Sequence, residues 1–185
     1  MFQAILVFSK ESSLFGSLKH QTRVTLHWIL NTFGLLAVLT AFAVIYYNKE
    51  ENGKQHFTSW HGLIGVATIA YTVVQYLAGH NLTIFNSFVR KFIPYNKLSI
   101  YHATSGTFLY VLACISLSLG IFSNWFSSST PFYIWYLSFA LTALLGLIVT
   151  NQVTAKYVKP KLSASEVNAI FKKEKTPNKK ANKSK

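Results

Sequence analysis

The stretch VTLHWILNTFGLLAVLTAFAVIYYN, from Val24 to Asn48, contains no Lys, Arg, Asp or Glu. Two further uncharged stretches follow, from Gln55 to Val89 and from Leu98 to Ala155. A helix needs about 20 apolar residues to span a bilayer, so the last stretch is long enough for two crossings. None of the stretches shows the alternation of period two that a transmembrane strand requires. The sequence therefore predicts an all-α, multi-pass transmembrane helix bundle. Its four predicted spans are 24–47, 58–79, 99–123 and 131–154.

Basic residues near the ends of the spans predict how the bundle is oriented in the membrane. They precede the first span, lie between the second and third spans, and follow the fourth: Lys10, Lys19, Arg23, Arg90, Lys91, Lys97, Lys156 and Lys159. The first connection balances lysines against glutamates, and the third connection carries no charge. We therefore expect both chain ends and the 80–98 connection on the cytosolic side.

The charge distribution also predicts the domain organisation. Residues 1–23 are expected to form an N-terminal remnant with a basic cytosolic segment, and residues 24–155 the four-helix membrane domain. Residues 156–185 hold much of the net charge of +13 in a Lys-, Asn- and Ser-rich tail. Such a tail is predicted to be disordered and cytosolic, with attraction to anionic lipid as the alternative. Because the charge is concentrated in this tail, the sequence does not favour nucleic acid as a partner.

Each uncharged stretch places one histidine about one helical turn inside its start: His27, His61 and His102. An imidazole in hydrocarbon is costly unless a partner satisfies it, and imidazole is the commonest metal-binding side chain. The predicted orientation brings His27 and His102 in from the cytosolic side and His61 from the opposite side. Two imidazoles at equal depth could hold one haem iron within a helix bundle. The alternative is that each histidine only bonds to a neighbouring helix.

Glycines occur on the same helical face as each of these histidines, at Gly34, Gly65 and Gly106. Low bulk there would leave room for a flat macrocycle, although small residues also let membrane helices approach closely. The remaining histidines lie in polar flanks or at a helix end and are assigned no chemistry: His20, His56 and His80.

Other classes of chemistry lack the residues they need. The 5 acidic residues all lie outside the predicted spans, which disfavours a proton- or cation-coupled transporter. Cys114, the 1 cysteine, lies within a predicted span, so no intrachain disulfide can form and a thiolate metal site is not expected.

Several short motifs resemble the cytochrome b-561 family, in particular its domain-containing protein 2-like branch. They are Val7-Phe8-Ser9 with Glu11-Ser12-Ser13-Leu14, His27-Trp28, Trp60-His61-Gly62, Tyr101-His102-Ala103-Thr104-Ser105-Gly106 and Asn151-Gln152-Val153. The run from Tyr101 to Gly106 is the most specific of them. The resemblance extends from the first residues to about Tyr157 and leaves out the lysine-rich tail.

The resemblance implies a family fold of six spans with two b haems, one near each membrane face. It assigns His27 and His102 as the axial ligands of the cytosolic haem, and His61 as one ligand of the other haem. The chain begins where the second family helix would be ending, so the partner of His61 is expected to be missing. The resemblance therefore predicts one complete bis-histidine site here and places four of the six family spans in this chain.

The function implied by the resemblance is transfer of electrons from cytosolic ascorbate to monodehydroascorbate or ferric iron across an intracellular membrane. The expected location is the endoplasmic reticulum or cytoplasmic vesicles, with membrane lipid around the chain and a homodimer as an open question. Lys19 and Arg23 lie beside His27 and could attract anionic ascorbate, although charge that only sets the orientation would explain them too. The alternative function is a non-catalytic or electron-transfer-impaired membrane protein with a regulatory or assembly role.

Overall fold

The computed structural model describes residues 1–9, 14–15, 18–84 and 94–157, apart from the side chains of 82–84 and 157. Within these ranges the chain is helical and contains no strand. In chain order the helices are α1 (Phe2–Leu6), α2 (His20–Glu51), α3 (Trp60–Ile84), α4 (Tyr95–Ile121), α5 (Asn124–Ser129) and α6 (Phe132–Tyr157). The all-α prediction is confirmed.

Four of these helices, α2, α3, α4 and α6, are long and apolar enough to cross a membrane. At most 22% of the most apolar window of any of them is buried inside the protein. Large apolar side chains such as Phe33 and Leu147 stand on the outer surface, where lipid would cover them. The prediction of a four-span bundle is confirmed, and the helices begin or end a few residues away from the predicted limits. The largest difference is in α2, which continues at both ends beyond the uncharged stretch.

The connection between α4 and α6 contains a short helix that the sequence did not predict. The hydroxyl of Ser123 caps α5 by accepting a hydrogen bond from the backbone nitrogen of Phe126 at 3.3 Å. The indole nitrogen of Trp135 then donates to the carbonyl of Ile121 at 2.6 Å. These bonds hold the start of α6 against the end of α4.

The bundle is tightest where α3 packs on α4 and α4 packs on α6, while α2 contacts α3 and α1. In the described part of the chain, no Cα atom of α2 comes within 8 Å of a Cα atom of α4. The short helix α1 lies against both α2 and α6. Its residues Ala4 and Leu6, with Val7 just after it, are the least exposed side chains near the cavity that separates α2 from α4.

Several predictions fall outside the described residues. They include the disordered state of the tail beyond Tyr157 and the places of Lys10, Arg90, Lys91 and Lys159. The domain limits and the orientation in the membrane remain predictions.

Candidate functional site

His27 on α2 and His102 on α4 face one another across the gap between these two helices. Their ring centroids are 6.3 Å apart, and the ring planes are inclined at 76°. A metal–imidazole bond is about 2.0 Å long and each ring nitrogen lies about 1.1 Å from its ring centre, so two imidazoles on one metal have centroids roughly 6 Å apart. The observed separation therefore suits a single iron between the two rings.

The hydrogen bonds of His27 fix its protonation. Its Nδ1 lies 2.7 Å from the carbonyl oxygen of Ala4 in α1. Because a carbonyl oxygen only accepts, Nδ1 carries the proton and donates, and Nε2 keeps its lone pair. The side-chain nitrogen of Asn31 lies 3.2 Å from that Nε2. A backbone acceptor at Nδ1 is the common arrangement for a metal-binding imidazole, so His27 is suited to bind iron through Nε2.

His102 is surrounded by polar side chains instead of a backbone acceptor. The side-chain nitrogen of Gln75, on α3, lies 3.1 Å from Nδ1 of His102 and donates to the backbone carbonyl of His102 at 2.7 Å. The hydroxyl of Ser105 donates to the Gln75 side-chain oxygen at 2.8 Å. Tyr71 donates to the carbonyl of Ser105 at 3.2 Å. This network joins α3 to α4 directly beside the imidazole.

A cavity of about 530 Å³ adjoins both imidazoles. Its walls come from α1, α2, α3, α4 and α6, and its polar lining includes Asn31, Gln75, His80, Gln152 and Lys156. The volume lies within the range of roughly 300–1,000 Å³ found for small-molecule and cofactor sites. The cavity therefore lies in the size range of cofactor sites and has two imidazoles in its wall, the residue type that binds haem iron.

The glycines that contact the imidazoles are different from those chosen by helical spacing. A Cβ atom at Gly79 would lie 3.0 Å from the ring of His102, and one at Gly120 would lie 3.0 Å from the ring of His61. Both glycines belong to the helix opposite the histidine they touch, so spacing along one helix could not identify them. The glycines selected from the sequence instead face other groups: Gly34 faces Met1, Gly65 faces Ser116 and Gly106 faces Gln75.

His61, at the start of α3, lies apart from the other two predicted ligands. Its Nδ1 is 2.9 Å from the carbonyl oxygen of Ser116, so Nδ1 donates and Nε2 keeps its lone pair. In the described part of the chain, the one ring contact between two histidines joins His27 to His102. His61 thus has the unprotonated Nε2 that a metal ligand needs. Among the described residues, no second histidine ring contacts it.

Sequence reasoning missed the role of His80 as part of the cavity wall. The indole nitrogen of Trp28 donates to Nδ1 of His80 at 2.9 Å, and the ring of Tyr76 stacks on His80 at 5.1 Å between centroids. From the sequence, His80 lies at a helix end and is assigned no chemistry. The contact with Trp28 comes from α2, and nothing near His80 in the sequence indicates it.

The cationic residues near His27 and at the end of α6 differ in exposure. Lys19 is exposed, whereas Arg23 is only 9% exposed and its Nε donates to the carbonyl of Leu18 at 3.0 Å. Lys156 lines the cavity, and its ammonium lies 5.1 Å from the ring centre of Phe8, a cation–π contact. From the sequence, Lys156 was taken only as a charge that sets orientation.

The described residues contain no cluster of three or more His, Cys, Asp or Glu side chains that could hold a bare metal ion. Two imidazoles are nevertheless sufficient for haem, because the porphyrin supplies the other four nitrogen ligands. The residues present therefore fit a haem better than an isolated metal ion.

Taken together, the observations describe a helical membrane protein with four possible spans and two imidazoles beside one cavity. Residues 1–127 match the family described as eukaryotic cytochrome b561, and the chain belongs to that family. The proteins of this family bind haem b. The chain is therefore assigned as a membrane oxidoreductase that takes part in transmembrane electron transfer. The family predicted from the short motifs is confirmed.

Individual relatives agree with this assignment. The chain is 36% identical over 158 residues to the transmembrane reductase CYB561D2 of Bos taurus, covering 85% of this chain and 70% of the relative. The protein of the same name from Homo sapiens is 37% identical over the same shares. The ascorbate-specific transmembrane electron transporter 2 of Zea mays is 26% identical over 107 residues, or 55% of this chain and 42% of the relative. No solved structure matches the chain.

Proposed function

We propose that this chain is an ascorbate-dependent reductase of an intracellular membrane, with one b haem held by His27 and His102 near the cytosolic face. The observation that carries the proposal is the pair of imidazoles, with ring centroids 6.3 Å apart, beside a cavity between two helices whose Cα atoms stay more than 8 Å apart in the described residues. The acceptor would be ferric iron or monodehydroascorbate on the far side. The name of the Zea mays relative supports ascorbate as the donor.

A b haem bound in this cavity would supply a one-electron carrier whose iron alternates between the ferric and ferrous states. The chain provides the two axial nitrogens and controls their hydrogen bonds. The Ala4 carbonyl keeps Nε2 of His27 unprotonated, and the Asn31 side chain would have to release its hydrogen bond to that nitrogen when iron binds. Gln75 restrains the ring of His102. Both rings are only partly exposed, so the protein shields much of each ring from its surroundings.

At the cytosolic end, Lys19 and Arg23 would raise the local concentration of ascorbate, which is an anion at neutral pH. Lys19 is exposed and can contact ascorbate directly. Arg23 is largely buried, so its positive charge would attract the ascorbate anion only at a distance. Oxidation of the ascorbate monoanion to monodehydroascorbate releases one electron and one proton. Cytosolic water can take the proton.

The second candidate function is a membrane protein whose transmembrane electron transfer is impaired. The observation that favours it is His61, whose Nε2 lone pair has no second imidazole beside it in the described residues. A single haem near one face would leave most of a roughly 30 Å hydrocarbon layer without an electron carrier.

Reconstituted vesicles separate the two candidates. Ascorbate is added at the cytosolic face, a ferric chelate is enclosed on the other side, and both haem reduction and ferrous iron are followed. We expect ascorbate to reduce the haem. Ferrous iron that forms at a rate that follows haem reduction would support the reductase, and slow or absent ferrous iron would support the impaired candidate. His56→Ala is a suitable control, because this imidazole bonds to Glu50 outside the cavity. Haem that ascorbate does not reduce would contradict the proposed donor. Rapid ferrous iron formation would rule out the impaired candidate.

A further inference from the structure

Lys156 brings a positive charge to the cavity beside His27 and His102. It is exposed near the end of α6 and also lines the cavity, so it lies at the cavity's opening. Among the described residues that line the cavity there is no Asp or Glu. The described part of the cavity wall therefore favours a ligand that carries negative charge.

The histidine rings in the cavity wall do not add to this positive charge. His80 accepts a hydrogen bond at Nδ1 from the indole nitrogen of Trp28, 2.9 Å away. An indole nitrogen only donates, and a charged imidazole carries a proton on both nitrogens, so His80 is neutral while this bond is made. His27 and His102 are also neutral when they bind iron, because a metal binds an unprotonated ring nitrogen. Lys156 is thus the cationic side chain of the described cavity wall.

A contact with Phe8 relates the ammonium of Lys156 to the proposed iron. The ammonium lies 5.1 Å from the centre of the Phe8 ring, and that ring lies 5.3 Å from the ring of His27 between centroids. Lys156 is therefore no further from the His27 ring than these two distances together. Because the two imidazoles occupy the axial positions of the iron, a cation beside them is suited to a group on the edge of the haem.

A second cation acts on Lys156 from beyond the cavity wall. The charge of Arg23 is close enough to act on the ammonium, and the Nε of Arg23 is held at 3.0 Å from the carbonyl of Leu18. Like charges repel, so an anionic group bound to Lys156 would also offset its repulsion from Arg23. This pair of cations again favours an anion at the opening of the cavity.

We propose that Lys156 binds a propionate carboxylate of the haem and so holds the propionate edge toward the opening of the cavity. The two propionates are the charged groups on the edge of a b haem. An ammonium has three hydrogens, so it can bind a carboxylate beside its other partners. Ascorbate also offers an anionic oxygen, and blocking the propionates separates the two ligands. This role rests on the proposed function, since it requires haem at His27 and His102.

Haem dimethyl ester, in which both propionates are blocked and uncharged, tests this role. The full chain is purified, freed of haem, and titrated with haem and with the ester, followed at the Soret band. Each variant then gives a ratio of the dissociation constant for the ester to that for haem. Lys156→Met removes the charge at similar length, and we expect it to lower this ratio roughly 5- to 10-fold, a modest effect because the ammonium is exposed. Lys156→Arg keeps the charge and should keep the wild-type ratio.

Lys54→Met is the matched control, because Lys54 is exposed in the connection between α2 and α3 and is not part of the cavity wall. We expect it to keep the wild-type ratio. If Lys156→Met binds neither compound, the wild-type protein carries the test. Its affinity for haem should then fall more steeply with added salt than its affinity for the ester, since salt screens the charge pair.

The outcomes distinguish this role from the proposed function. An unchanged ratio in Lys156→Met, or the same salt dependence for haem and ester in the wild type, would overturn the role of Lys156 alone. An unchanged ratio together with a higher half-saturating concentration of ascorbate would overturn it in favour of ascorbate as the ligand of Lys156. A wild-type protein that binds neither haem nor the ester would overturn the proposed function as well.

Discussion

At the scale of single residues, the backbone determines which ring nitrogens of His27 and His61 are available. Each donates Nδ1–H to a carbonyl oxygen, from Ala4 and from Ser116. A carbonyl can neither donate nor change its charge, so both rings hold the ligand form before any cofactor binds. The histidines themselves could be selected from the sequence, because an imidazole in an apolar helix is unusual. Their acceptors could not, because each acceptor belongs to a different helix.

The close contacts of Gly79 and Gly120 lead to a paired prediction. A Cβ atom at either glycine would lie 3.0 Å from an imidazole, that of His102 or that of His61. Contacts this short force one of the groups to move. We expect Gly79→Ala to displace His102 and lower the haem content several-fold, whereas Gly120→Ala should leave the haem content unchanged. Absorbance at the Soret band relative to protein concentration measures the difference.

Gly146→Ala controls for the general effect of adding a methyl group to a membrane helix. Its Cβ would lie 3.4 Å from the sulfur of Cys114, which is an ordinary contact. Equal losses of haem in the Gly79 and Gly120 variants would contradict the assignment of His102, and not His61, as a ligand of the proposed haem.

At the scale of helices, α1 contributes more than its five residues suggest. It packs against α2 and α6, and its Leu6 forms a buried cluster with Tyr110 and Val149. It also carries the Ala4 carbonyl that bonds to His27. The segment is therefore both part of the core and part of the candidate site.

Shortening Leu6 tests this double role. Leu6 is 2% exposed, so Leu6→Ala leaves a cavity beside Tyr110 and Val149. We expect a loss of roughly 2 kcal/mol, at the low end of the range for soluble cores because lipid is as apolar as leucine. Haem content should fall too, since α1 holds the acceptor of His27. Thermal unfolding in detergent measures the first effect and absorbance the second. Leu147→Ala on the outer face of α6 should change neither, and equal effects of the two substitutions would argue against a structural role for α1.

The four spans were predictable because lipid requires about 20 residues without charge in each of them. Their exact limits were not, since the polar ends of α2 remain helical where they leave the apolar stretch. The helix α5 was not predicted, because the feature that begins it is short and local. The Ser123 hydroxyl caps the helix by accepting a hydrogen bond from the backbone nitrogen of Phe126. The burial of α1 was not predictable either, because a short and largely apolar segment such as residues 1–8 can as easily end a longer helix as pack into a core.

At the scale of the whole molecule, the charge distribution predicts how the donor reaches the site. The uncharged body lies between basic segments that are expected in the cytosol, with Lys19 exposed at the start of α2. Lys19→Glu should slow haem reduction by ascorbate by about tenfold at low salt, because it reverses the field that attracts the anion. The effect should shrink above about 0.1 M salt, where the Debye length is about 10 Å. Stopped-flow absorbance measures the rate.

The exposed Lys54, in the connection between α2 and α3, is the control for this prediction. Lys54→Glu makes the same change in net charge on the side expected to face away from the cytosol. If it slows reduction by cytosolic ascorbate as much as Lys19→Glu does, either the orientation or the point of ascorbate entry is wrong.

The ratio of haem to protein, measured by the pyridine haemochrome assay on the purified chain, tests the central claim most directly. We expect one haem per chain with a low-spin b-type spectrum, because the described residues contain one pair of imidazoles at the separation that suits an iron. His27→Ala and His102→Ala should each abolish that spectrum, and His61→Ala should change it little. Two haems per chain, or a low-spin spectrum that persists without His27 or His102, would contradict the assignment of the site.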